Sequence, residues 1–157
     1  MFNINKIYEK NKELDELFNK KYNLYSEEII AKNKIELMVE FNELLNESKC
    51  FKYWSTKDPN YEKLVYEYAD GLMMILTFFN VYRENITIND NLINKESDII
   101  KHIFYLYNLY NDFINNDANN LNVILNNYLY FGELLKIDFI NLEEVILDKI
   151  NKTKEGL

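Results

Sequence analysis

Glycine and proline are almost missing from this chain, with 3 and 1 among 157 residues. β-Sandwiches and Rossmann-type sheets need many turns with special backbone angles, which those two residues supply, so the scarcity argues against both. Cysteine occurs once, at Cys50, so no internal disulfide can form and a reducing compartment, the cytoplasm, is expected. With apolar neighbours and no catalytic partner in view, Cys50 reads as an inert thiol. Arginine also occurs once, as Arg83, and the net charge is −8. That balance provides no basic footprint, which excludes nucleic acid as a partner. Any phosphate chemistry must then use lysine and metal ions instead of guanidinium clamps. No uncharged run reaches the roughly 18 residues of a membrane span. Lys63 to Arg83 comes closest, but Glu67 and Asp70 interrupt it. The N-terminus lacks a charged-then-apolar leader, so a soluble protein is expected.

What is abundant is apolar and aromatic: 48% hydrophobic residues, with 13 Tyr and 10 Phe. That is enough for the core of one domain. Helical periodicity predicts a first helix over 4–22. Ser26 reads as the N-cap of a second helix running to about Lys49. Phe51 to Ser55 is an aromatic connector without helical spacing. Asp58-Pro59 reads as the cap and first residue of a third helix ending at Tyr82 or Arg83. That helix is apolar all round, which makes it the central one. A polar loop over 84–96 precedes a fourth helix opened by Ser97 and running to about Ile114. A fifth helix covers 121–135, and Asn141 with Glu144 reads as the capping box of a short last one. The fold class is all-α, a single-domain bundle of about six helices over 1–157. His102, among Ile103, Phe104 and Tyr105, reads as a structural histidine.

Six acids stand out. Glu36, Glu40, Glu43 and Glu47 form a helical stripe about 60° wide. Such a stripe costs little, about 0.2–0.5 kcal/mol per like-charged pair, and alone is a solvated face. Glu67 and Asp70 differ, because they lie one turn apart in the most apolar helix, where carboxylates are rarely left unpaired. Lys63, one turn before Glu67, is the candidate counter-charge. One lysine cannot balance that pair and a facing glutamate stripe. Antiparallel pairing of the second and third helices would bring Glu40 and Glu43 opposite Glu67 and Asp70. Four oxygen ligands without His or Cys suit Mg²⁺ or Mn²⁺, and such a site can activate water and hold a diphosphate. Glu36 and Glu47 fall further along the stripe, as outer or solvated groups.

The string Val39 to Ser55, with Glu40-x-x-Glu43 and Phe51-Lys-Tyr-Trp54, resembles the dimeric all-α dUTPase family. That family belongs with the MazG-like all-α NTP pyrophosphatases, whose mark is an E-x-x-E pair followed by E-x-x-D. Here Glu40-x-x-Glu43 and Glu67-x-x-Asp70 fit, with 23 residues between the pairs. Asn11-Lys-Glu-Leu14-Asp15 is similar to the family segment lining the uracil pocket, where Gln often stands in place of Asn11. Phe131-Gly132 and Asn141 to Glu144 are similar to its closing helices. The C-terminal stretch departs, lacking the arginine of the family's phosphate-closing segment. Lys149, Asn151 and Lys152 would substitute in part.

The resemblance implies a Mg²⁺-dependent (or Mn²⁺-dependent) homodimeric enzyme that hydrolyses dUTP, and dUDP, to dUMP through metal-activated water. Glu40, Glu43, Glu67 and Asp70 would be the metal ligands, one of them also the base. Lys49 and Lys52 would meet the phosphates, Trp54 would wall the uracil pocket, and Asn80 would contact the sugar. Two alternatives stay open. One is a broader NTP pyrophosphatase; the other is a non-catalytic interaction protein of the same fold.

Overall fold

Helices form where the apolar periodicity predicts them, and their ends follow the polar residues available. The computed structural model describes residues 2–117 and 119–157. It contains α1 (Ile4–Tyr22), α2 (Glu27–Ser48), α3 (Tyr61–Tyr82), α4 (Ile99–Asn116), α5 (Leu121–Leu134) and α6 (Phe139–Gly156). A 3₁₀ turn, Asp90–Leu92, lies in the loop before α4, and no strand occurs among the described residues.

Three starts differ from the sequence reading. Asn60, not Asp58, caps α3 by accepting from the Lys63 amide, so Pro59 lies just outside the helix. Asp98 caps α4 through the amides of Ile100 and Lys101, one residue after Ser97. Asp138 caps α6 through Ile140 and Asn141, which puts Asn141 inside the first turn. In each case the side chain of the residue immediately before the helix accepts the free N–H groups of its first turn. The last helix is also not short, at 18 residues.

The poverty in glycine has a visible consequence at the C-termini. Asn23, Lys49, Arg83 and Asp117 close α1 to α4 in the left-handed region, with φ of 57, 56, 54 and 46°. Side-chain-bearing residues there cost about 1 kcal/mol each relative to glycine, and the helices carry that cost.

α3 is the axis of the bundle and packs against α1, α2, α5 and α6. Leu64, Val65, Tyr68, Ala69, Leu72, Ile75, Leu76, Phe78 and Phe79 on it are all buried. α4 packs on α5, where His102 is buried at 0% exposure and its Nε2 meets the Asn127 carbonyl at 3.1 Å. Its ring lies against Tyr130 and Phe131, in keeping with a structural role. Burial holds its pKa below the ordinary histidine value.

The polar stretch after α3 is ordered by asparagines of α5. Asn122 accepts from Thr87 N and donates to Asn85 O; Asn126 accepts from Asn89 N and donates to Thr87 O. Asn127 does the same for Asn94 N and Leu92 O. Each side-chain amide accepts from one loop N–H and donates to one loop carbonyl, so it pairs with the loop backbone much as a neighbouring strand would. No helix among the described residues is long and apolar enough to cross a membrane.

Candidate active site

The acidic residues meet where α2 lies along α3. α2 buries Leu37, Phe41, Leu44 and Leu45, which leaves the flank bearing Glu36, Glu40 and Glu43 at the edge of that contact. α3 turns Glu67 and Asp70 towards the same edge. Glu40, Glu67 and Asp70 each offer one carboxylate oxygen, all within 4.8 Å of one another. Glu40 Oε2 and Glu67 Oε2 are buried without a hydrogen-bond partner. Glu43 stands outside that trio, more exposed, but close enough for its charge to help raise the Glu67 pKa.

The charge balance is poor. The Glu40 pKa is pushed up to about 8, first by burial and then by Asp70, Glu43, Glu36 and Glu67. That of Glu67 rises to about 7, again by burial first and then by Asp70 and Glu43. Asp70 is raised by burial, although a lysine partly offsets it. That lysine is Lys149 of α6, whose Nζ lies 2.7 Å from Asp70 Oδ1. Lys63 is exposed and is not the compensator expected from its place on the helix. The reason lies in the packing of α6 on α3, which brings a residue 79 positions away closer than the local neighbour. Orphaned oxygens, carboxylate-only donors and raised pKa values together fit a hard divalent cation such as Mg²⁺ or Mn²⁺.

Beside the trio opens a cavity of about 240 Å³, lined in part by Asn11, Asp15, Glu36, Glu40, Asp70 and Thr77. Its polar floor is tightly bonded. Thr77 Oγ1 donates to Asp15 Oδ1 at 2.9 Å, and Asn80 Nδ2 reaches Asp15 Oδ2 at 3.4 Å. Asn11 Nδ2 faces Asp15, the Met73 carbonyl and Thr77 Oγ1, at 3.4, 3.3 and 3.2 Å. Burial lifts the Asp15 pKa to about 6 against the opposing bonds from Thr77 and Asn80.

Of the residues picked out in the sequence, Asn11, Asp15, Glu40 and Asp70 line this cavity, Glu67 joins them at the acidic trio, and Lys149 pairs with Asp70. Asn80 supports the floor but lines a second cavity with Tyr8, Lys12 and Arg83. Lys49, Lys52, Trp54, Asn151 and Lys152 line neither cavity. Lys49 Nζ donates to the Asp58 carbonyl, Lys52 lies over the Phe51 ring, and Lys152 pairs with Asp148. Trp54 is 63% exposed and stacks edge-on with Tyr53 and Phe51. Asn151 is exposed.

Sequence reasoning missed Thr77, Asn33 and Thr153 in the cavity wall and Tyr66 beside Lys149. Thr77 alone carried a signal, as one hydroxyl in a run of large apolar residues. It also set Glu36 aside as an outer group, whereas Glu36 lines the cavity and burial raises its pKa.

Compared with known families, residues 3–154 match the family model described as dUTPase. The chain belongs to the dUTPase family. No curated protein and no solved structure matches it. The dUTPase match runs from the turn before α1 into the last turn of α6, so it includes both acidic pairs, the cavity floor and Lys149. Membership agrees with the all-helical fold and supports dUTP hydrolysis in general.

Proposed function

We propose that this protein hydrolyses dUTP, and dUDP, to dUMP with the help of a divalent cation, Mg²⁺ or Mn²⁺, held by Glu40, Glu67 and Asp70. The observation that carries the reading is the meeting of three carboxylate oxygens within 4.8 Å beside a cavity with a polar floor. A divalent ion there would polarise a water and neutralise diphosphate oxygens. The protein's own groups do the rest. Glu43, outside the trio yet close enough for its charge to raise Glu67, is the carboxylate left to take the proton from the attacking water. Lys149 is the one buried ammonium beside the trio among the described residues and offers a positive charge to the phosphates.

Base recognition falls to Asn11, 1% exposed on the cavity floor. Its amide nitrogen is engaged by Asp15, Met73 and Thr77, so the carbonyl oxygen is the group it offers to the cavity. An acceptor there suits the N3–H of uracil and leaves cytosine, whose N3 carries no hydrogen, without a match. Asp15 and Asn80 hold the floor on which the sugar would rest. A homodimer is part of the same reading, and the exposed Tyr53, Trp54 and Tyr66 would be covered in it or by substrate.

A broader nucleoside triphosphate pyrophosphatase is the second reading, and one observation favours it: Trp54 does not line the cavity. The test is turnover of dUTP, dCTP, dTTP and UTP with Mg²⁺, with nucleoside monophosphate and pyrophosphate measured as products. Preference for dUTP by about tenfold or more supports the first reading. Equal turnover of all four overturns it in favour of the second.

A further inference from the structure

Lys149 sits where a cation is needed. Its residue is 8% exposed, and its Nζ lies 2.7 Å from Asp70 Oδ1 and 2.9 Å from the centre of the Tyr66 ring. Both contacts favour a positive charge. Four acids, Glu40, Glu43, Glu67 and Asp70, gather here, and among the described residues Lys149 is the one ammonium paired with any of them. A second cation on Asp70 would stand a few ångströms from Nζ and be repelled by it.

We infer that Lys149 is a built-in counter-cation that holds Asp70 until a divalent ion displaces it, coupling metal binding to the closing helix. The inference rests on the metal reading of the acidic trio given above. Its structural basis is the position of Lys149 one turn before Thr153, which donates to the Lys149 carbonyl at 2.8 Å and itself lines the cavity. The next residue, Lys154, ties α6 to Glu13 of α1 at 3.0 Å. Releasing Nζ from Asp70 therefore acts on the segment of α6 that walls the cavity. The released ammonium is then free to meet a substrate phosphate.

The experiment uses the unmodified full-length protein without nucleotide. Limiting acetic anhydride is applied in EDTA and in saturating Mn²⁺, and acetylation is read by peptide mass spectrometry. The exposed Lys101 serves as internal reference. In EDTA the Lys149 amine is ion-paired and sheltered; with Mn²⁺ its acetylation rises severalfold relative to Lys101. Calorimetry on the same sample records whether Mn²⁺ binds. Binding with unchanged Lys149 acetylation overturns the counter-cation role and leaves the metal reading intact. No Mn²⁺ binding overturns both. A second arm titrates Lys149→Met with Mn²⁺: binding on the order of tenfold tighter than wild type agrees with removal of a competitor, and equal or weaker binding contradicts it.

Discussion

Tyr68 and Tyr128 clasp each other. Their rings stack 4.5 Å apart at 14°, the Tyr68 hydroxyl donates to the Tyr128 carbonyl at 2.8 Å, and the Tyr128 hydroxyl donates to the Tyr68 carbonyl at 2.7 Å. Each hydroxyl passes over a glycine of the other helix, Gly71 on α3 and Gly132 on α5. The clasp fixes the register of α3 between its two acids, since Glu67 precedes Tyr68 and Asp70 lies two residues beyond it. The burial of both phenols pushes their pKa values up, which keeps both hydroxyls protonated as donors.

A Cβ at Gly71 would overlap the Tyr128 hydroxyl and press on its ring carbon at 2.9 Å. Gly→Ala inside a helix ordinarily stabilises by about 1 kcal/mol. Here overpacking and a broken hydroxyl–carbonyl bond reverse the sign, and Gly71→Ala is expected to destabilise by about 2–3 kcal/mol. Urea unfolding measures it. A stabilised variant would show that the clasp yields easily.

Asn127 carries the loop before α4. Its side chain is 0% exposed and bonds Asn94 N and Leu92 O, both at 2.9 Å. Asn127→Ala leaves both backbone groups without that partner and is expected to cost about 2–3 kcal/mol. The amide of Asn94 should then exchange with solvent much faster. Unchanged exchange there would rule out the asparagine as the strap.

The acidic trio sets a pH dependence of defined sign. The folded pKa values of Glu40 and Glu67, about 8 and about 7, lie above the ordinary glutamate value of 4.5. Raised carboxylate pKa values mean that the folded state holds more protons than the unfolded one. Stability in EDTA therefore falls as pH rises from 4.5 towards 8. Glu40→Gln removes one of these two raised carboxyls. Its unfolding free energy in EDTA, from urea titration, should match wild type near pH 4.5 and exceed it at pH 8 by about 1 kcal/mol after allowance for solvent screening. His102 works in the opposite direction, costing stability below pH 6.5 because its folded pKa is lowered. The comparison with Glu40→Gln cancels that contribution. Wild type more stable than the variant at pH 8 in EDTA would contradict the burial of Glu40.

Much of this was legible in the chain itself. Period and apolarity located all six helices, and the E-x-x-E and E-x-x-D pairs located the trio, because both signals are local. Cap choice was less legible: Asn60 over Asp58 and Asp138 over Asn141 depend on which side chain reaches the free amides. Contacts distant in sequence were not legible. Nothing near residue 149 says that it faces Asp70, and nothing in Asn122, Asn126 and Asn127 says which loop they hold. Trp54 and Lys52 belong to the motif that carried the resemblance, yet Trp54 is exposed, Lys52 lies half-buried over Phe51, and neither lines the cavity.

The central claim is that Glu40, Glu67 and Asp70 hold a divalent cation while Glu43 serves as base. The most direct measurement is Mn²⁺ calorimetry without nucleotide on wild type, Glu67→Gln and Glu43→Gln, alongside dUTP turnover by each. Wild type should bind Mn²⁺; Glu67→Gln should lose both binding and turnover. Glu43→Gln should bind within a few-fold of wild type yet lose turnover by about 10²–10⁴. Absence of Mn²⁺ binding by wild type, or equal binding and turnover by Glu67→Gln, would contradict the account.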